Sequence, residues 1–172
     1  MPVTVRATTL HDLPSLIVDC LNPVFSERIY LSITEPIPVG EALGYHAAHV
    51  SAGFPHFVAV DGDQLVGMCD ISPSAPPRIG AQQHNATLGM LLVPSARGQG
   101  IGERLIRAAI AACGSRWERI ELSVYGHNER AHRLYKRVGF IEEGRRLGAW
   151  KLDGNRSDII DMVYRPGQSS SI

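Results

Sequence analysis

The stretch that most restricts how this chain folds is Val93-Pro-Ser-Ala-Arg97-Gly98-Gln99-Gly100-Ile101-Gly102. An apolar run, Leu88 to Val93, precedes it and an amphipathic run, Glu103 to Cys113, follows it, so the spacing predicts a strand, a glycine-rich turn and a helix. Glycines carry no Cβ, so a ligand can approach the main chain closely and positive φ costs little. The first N–H groups of the helix have no intrahelical partners and sit at the positive end of its dipole. Such a turn is an anion site, suited to a phosphate. Two common phosphate motifs fail on spacing. The glycines at 98, 100 and 102 read G-x-G-x-G, not the dinucleotide G-x-G-x-x-G, and Gly100 is followed by Ile101-Gly102 where a P-loop needs Lys-Ser/Thr.

A second segment, Asn128-Glu-Arg-Ala131-His-Arg-Leu134-Tyr135-Lys-Arg-Val-Gly139-Phe140, follows a strand-like run from Ile120 to Tyr125. Asn128 is a good helix N-cap. Ala131, Leu134 and Val138 recur at i, i+3, i+7 as an apolar stripe with Tyr135 at its edge, and Gly139 is placed to end the helix. Arg130, Arg133, Lys136 and Arg137 form a solvated basic face.

Together the two segments resemble the two signatures of the GNAT N-acetyltransferase superfamily. The first matches Arg/Gln-x-x-Gly-x-Gly/Ala at Arg97–Gly102; the second matches Asn-x-x-Ala-x-x-Leu-Tyr-x-x-x-Gly-Phe at Asn128–Phe140. The resemblance covers about residues 55 to 165 and, more weakly, the N-terminal part. It implies acetyl-CoA as cosubstrate, without a metal. The pyrophosphate is then expected on main-chain N–H groups of Arg97, Gly98, Gln99, Gly100, Ile101 and Gly102, with Arg97 or Arg104 adding charge. The pantetheine arm is expected along the strand ending Leu91-Leu92-Val93, paired like an extra strand, and held from the next helix by Asn128 and Ala131. An N–H near Leu92 would act as oxyanion donor, and Tyr135 would be the general acid for the leaving thiol.

The reaction so implied is direct attack of a primary amine on the thioester. An α-amine with a pKa near 8 is already roughly 10% neutral at pH 7, so a weak base suffices. Glu35, Asp70 and Glu121 are candidate bases; Tyr30, Glu35 and Asp70 are candidate acceptor contacts, with Trp150 as a further pocket residue. The acceptor expected is a small molecule, an amino acid or an amino-bearing metabolite or xenobiotic. The alternatives are acetylation of a protein N-terminus, as in ribosomal-protein acetyltransferases, and a non-catalytic acyl-CoA-binding module. Retention of both Tyr135 and Asn128 argues against the last. Dimers are frequent in the superfamily, so a homodimer is one expectation.

Composition adds exclusions. The chain has 172 residues, zero formal net charge and no apolar run of membrane-spanning length, so neither nucleic acid nor a membrane is expected as partner. Its N-terminus lacks a signal-peptide core, and Cys20, Cys69 and Cys113 have no C-x-x-C spacing; free thiols in a reducing cytoplasm follow. His46, His49 and His56 lack a partner carboxylate or cysteine at metal-ligand spacing. One domain over residues 1–166 with a polar tail at 167–172 is expected. In order, the pattern predicts a strand at Val3–Ala7, a helix opened by Thr9-Leu-His-Asp12 toward Leu21, an irregular Asn22–Pro38 segment, which the family resemblance puts on the acceptor side for substrate selection, a helix at Glu41–Ser51, and a hairpin around Asp61-Gly62-Asp63. After the two signature segments come two final strands joined by Asp153-Gly154-Asn155. Antiparallel strands followed by helix crossovers make an α/β (α+β) fold: a mixed, mostly antiparallel sheet of about seven strands with helices on both faces, which matches the GNAT fold.

Overall fold

The computed structural model describes residues 2–167. In chain order these form β1 (Thr4–Ala7), a helical run containing α1 (Leu13–Ser15) and α2 (Asn22–Ser26), α3 (Val39–Ser51), β2 (His56–Asp61), β3 (Gln64–Pro73), β4 (Asn85–Leu92), α4 (Ile101–Cys113), β5 (Arg119–Tyr125), α5 (Glu129–Val138), β6 (Ile141–Leu152) and β7 (Asn155–Tyr164). The sheet has seven strands in the order β1-β2-β3-β4-β5-β7-β6. Pairs β1–β2, β2–β3, β5–β7 and β6–β7 are antiparallel, whereas β4 and β5 pair in parallel over Asn85–Thr87 against Arg119–Glu121. The fold expected from the sequence is therefore present. Apart from Gly167, the polar tail lies outside the described residues.

The chain divides into two compact units. One takes the residues up to Ser72 together with Gly89–Cys113; the other takes Pro73–Leu88 and the described residues from Gly114 on. In the first, β-strand alternation sorts side chains between two helical layers. Val58 and Met68 are cross-strand partners and join Leu13, Leu16, Ile17, Leu21, Phe25 and Leu91 in one core on the α1–α3 side. Cys69 alternates with Met68 and so points to the other face. There Cys113, at the end of α4, adds to burial in raising the Cys69 thiol pKa. Helix α4 lies against β1 and β2 and buries Ile101, Leu105, Ile106, Ala109 and Cys113 along one stripe.

The helical run after β1 differs from the expected single helix ending near Leu21. Asp12 accepts from the Thr9 N–H at 2.7 Å, as a capping residue should, and opens a 3-10 turn, Leu10–Asp12. Helix α1 then widens into a π-helical stretch, Leu16–Leu21, in which the Asn22 N–H reaches back to Ile17 O. The run continues through α2 to Ser26 with Pro23 at its start. Proline is tolerated in a first turn because its missing N–H is not needed there. The irregular segment is thus residues 27–38, shorter than the sequence suggested.

In the second unit the β6–β7 hairpin turns at Asp153 (φ 48°) and Gly154 (φ 82°), two left-handed residues as a two-residue hairpin turn requires. Asn128 caps α5 by accepting the Ala131 N–H at 3.2 Å, and Gly139 (φ 112°) closes it. Ile120, Phe140, Met162 and Val163 are fully buried.

Candidate active site

In the first unit, Pro94–Ala96 makes one 3-10 turn, Arg97 is extended, and Gly98 (φ 81°) and Gly100 (φ 76°) bring the chain into α4. Both angles are ones that only glycine adopts without strain. Gly98, Gln99 and Gly100 are exposed, and a Cβ built on Gly100 would meet nothing within 4 Å. The main chain here lies open to a ligand, with the first N–H groups of α4 at its end, and so fits an anion such as a diphosphate. The side chains contribute little. Ile101 is buried in the core, and the Gln99 amide donates to Ser95 O at 2.8 Å.

The charge expected from Arg97 is directed elsewhere. Its Nη1 and Nη2 donate to the two carboxylate oxygens of Glu27 at 2.8 and 2.5 Å, and its Nε and Nη2 donate to the Leu92 carbonyl at 3.0 and 2.9 Å. The Tyr30 ring lies beside it, 5.4 Å from the guanidinium carbon. Arg104 donates to Val3 O at 2.8 Å. Both guanidiniums are thus engaged with protein partners in this structure. What the turn itself presents is exposed main chain.

The end of β4 has a defined polarity. The Val93 N–H donates to Val66 O of β3 at 3.0 Å. Peptide groups of a strand alternate in direction, so the Leu92 N–H and C=O face the edge away from β3. The side chain of Leu91 belongs to the core and its carbonyl lies against Gly67 of β3, so Leu92 carries the outward main-chain groups of this strand end.

Of the three candidate bases, Glu35 is exposed and Glu121, half-buried in β5, accepts from Arg119 at 3.3 Å. Asp70 on β3 is different: it is 8% exposed, and burial pushes its pKa up to about 7 against a hydrogen bond from its own N–H. A Cβ at Gly89 would sit 2.6 Å from Asp70 Oδ1, so the carboxyl occupies the space a β4 side chain would fill. Tyr45 of α3 stands near it. Burial raises that phenol's pKa and the Asp70 charge adds to this, opposed by a hydrogen bond with Ser72. Tyr45, Ser72, Gly89 and Glu27 drew no notice in the sequence, because each depends on a partner distant along the chain.

Two of the three histidines form a buried polar chain. His56 Nδ1 meets Thr8 Oγ1 at 2.8 Å, and His56 Nε2 meets His46 Nδ1 at 3.0 Å. Burial holds both histidines down to about 4, so they are neutral near pH 7. Among the described residues no three His, Cys, Asp or Glu side chains group as metal ligands, and no helix is long and apolar enough to cross a membrane.

In the second unit, Asn128 spends its side-chain oxygen on the Ala131 N–H, leaving its amide N–H groups as the donors a ligand can use. Tyr135 is 8% exposed, with its ring 5.8 Å from that of Phe140. Ala131 and Leu134, expected in the buried stripe, are only half-buried. Trp150 packs on His127 at 4.6 Å and on Tyr125 at 5.5 Å between ring centroids, an aromatic cluster at the end of β5.

Known proteins place this arrangement. The sequence profile described as "Acetyltransferase (GNAT) family" matches residues 25–140. The Bacillus subtilis (strain 168) protein named "Putative phosphinothricin acetyltransferase YwnH" is 25% identical over 158 residues, covering 91% of this chain and 95% of its own. The L-amino acid N-acetyltransferase AaaT of Escherichia coli (strain K12) is 35% identical over 95 residues, 54% of this chain and 56% of its own. Among solved structures, a GNAT superfamily phosphinothricin acetyltransferase from Sinorhizobium meliloti, in complex with acetyl-CoA, superposes with a TM-score of 0.87 at 20% identity, covering 100% of this chain and 92% of its own. The chain belongs to the acetyltransferase (GNAT) family and is an acetyl-CoA-dependent acyltransferase.

Proposed function

We propose that this enzyme N-acetylates the α-amine of a small molecule, an amino acid or a close amino-bearing analogue, by direct attack on the thioester. The observation that carries this reading is Asp70, the one buried carboxyl among the three candidates, with a pKa near 7. A base of that strength is matched to an amine of pKa about 8, and poorly matched to a lysine amine near 10.4. The names of AaaT and of the phosphinothricin acetyltransferase point to acceptors of the same kind.

Acetyl-CoA supplies the acyl thioester. The N–H groups from Arg97 to Gly102 hold its diphosphate, and the strand end Leu91-Leu92-Val93, through the outward main-chain groups of Leu92, orients the pantetheine arm. The Leu92 N–H is the donor to the thioester oxygen; one such donor is worth about 10²–10³ in rate. On the second unit, Asn128 and Ala131 support the pantetheine end and Tyr135 protonates the departing thiol. On the first, Asp70 takes the proton that the amine gives up, with Tyr45 and Ser72 beside it, and Tyr30 in the 27–38 segment contacts the acceptor.

The test begins with a thermal melt with and without acetyl-CoA, followed by a thiol-release screen. Ligand at about 100 times its Kd adds roughly 2.7 kcal/mol, a shift of about 5 °C in a domain of this size. The screen sets L-amino acids and phosphinothricin against short peptides with free N-termini. Turnover confined to the small amines supports the reading, turnover confined to peptides replaces it with N-terminal acetylation, and no melt shift removes acetyl-CoA.

A further inference from the structure

The signature arginine is held in a clamp of protein groups, and every partner in that clamp has a bearing on the proposed site. The Leu92–Val93 peptide is gripped from both sides, its N–H by Val66 O and its C=O by Arg97 through two donors. The guanidinium itself is held by both oxygens of Glu27, with the two side chains only 20% and 19% exposed. Lysine has neither the planar fork nor enough fixed donors to reproduce this. Glu27 is the first residue of the 27–38 segment, and Tyr30 in that segment covers the guanidinium. The far end is clipped by Asn22, whose amide donates to Ile37 O at 3.2 Å and accepts the Ile37 N–H at 2.9 Å. Arg97 is also the residue immediately before Gly98.

We propose that Arg97, braced by Glu27, is the positioning residue for the Leu92 N–H, and that the same clamp couples the glycine turn to the 27–38 segment. This rests on the turn being the acetyl-CoA site. Filling the turn fixes the Arg97 backbone; the guanidinium then holds the Leu92 carbonyl and Glu27 in one geometry, so the oxyanion donor and the acceptor-side segment become ordered together.

The experiment uses the full chain and acetyl-CoA alone, so that no acceptor need be known. Calorimetry reports binding, the ¹⁵N–¹H signal of Leu92 reports the donor, and hydrogen exchange of the peptide spanning 27–38 reports the segment. In the native protein, acetyl-CoA binds, shifts the Leu92 signal and slows exchange across 27–38. In Glu27→Gln it still binds, with the exchange response lost and the Leu92 shift diminished; Glu27→Asp, a milder change in case the first variant folds poorly, restores part of both. If the native protein does not bind acetyl-CoA, the functional reading itself fails. If it binds and both Glu27 variants respond like the native protein, the clamp is overturned and the acetyl-CoA site stands.

Discussion

Two irregular segments of the first unit, the 97–100 turn and the 27–38 segment, are held by opposite means. The turn is shaped by its own backbone: two left-handed glycines and a helix start, with side chains pointing away. The 27–38 segment is shaped by side chains reaching from elsewhere, Asn22 onto Ile37 and Arg97 onto Glu27. The first arrangement suits a ligand part that never varies, because main-chain N–H groups are kept by every substitution except proline. The second suits a surface whose chemistry can change while its anchors stay.

The largest expected effect breaks the turn. Gly100→Asp forces a side chain onto a φ of 76° and a negative charge beside the diphosphate, and should abolish the acetyl-CoA melt shift while leaving the protein folded. Next comes the side-chain chemistry. Asp70→Asn should cut kcat with a small amine about 10²-fold at pH 8. The native rate should rise with pH through about 7 and the variant should lack that rise. Stability moves the other way. The folded pKa of Asp70 is raised from its ordinary 3.8, so the stability its protonated form contributes is full below that value and is lost as pH rises through about 7. The variant should therefore melt higher than the native protein at pH 8, with the difference closing toward pH 4. Tyr135→Phe should lower kcat by about tenfold at saturating amine, since a thiol of pKa near 8.5 leaves tolerably well unaided. Full retention of activity would remove Tyr135 as the acid. The smallest effect sharpens the contrast: Asn22→Ala should lower Tm by a few degrees, for the loss of about 1–2 kcal/mol of hydrogen bonding, and speed exchange in 27–38. The acetyl-CoA shift should survive it, since Asn22 holds the end of the segment away from the Arg97–Glu27 clamp; its loss would show that the turn depends on that far end as well.

What could be read from the sequence was whatever a few adjacent residues determine by themselves. Gly98 and Gly100 needed no partner to be recognised as a turn, and Asn128 and Gly139 bracket a helix by rules that operate over three or four residues. Arg97 shows where that ends. Its position in the motif was legible, but the direction of its side chain depends on Glu27, 70 residues away. Asp70 was one of three equal carboxylates until β3 and β4 came together and Gly89 left room for it. The helical run continued past Leu21 because Pro23 falls in a first turn, where its missing N–H does no harm, and the prolines alone suggested an irregular stretch.

The neutralised guanidinium has a consequence for ionic strength. A diphosphate site made of lysines or free arginines weakens steeply as salt screens it, with a Debye length near 8 Å at physiological salt. Here Arg97 is offset by Glu27, while Arg104 hydrogen-bonds to the neutral Val3 carbonyl and keeps its charge, so the turn presents N–H dipoles with a single uncompensated guanidinium nearby. Acetyl-CoA affinity should then fall less steeply between dilute buffer and half-molar salt than it would if both guanidiniums were free to meet the phosphates.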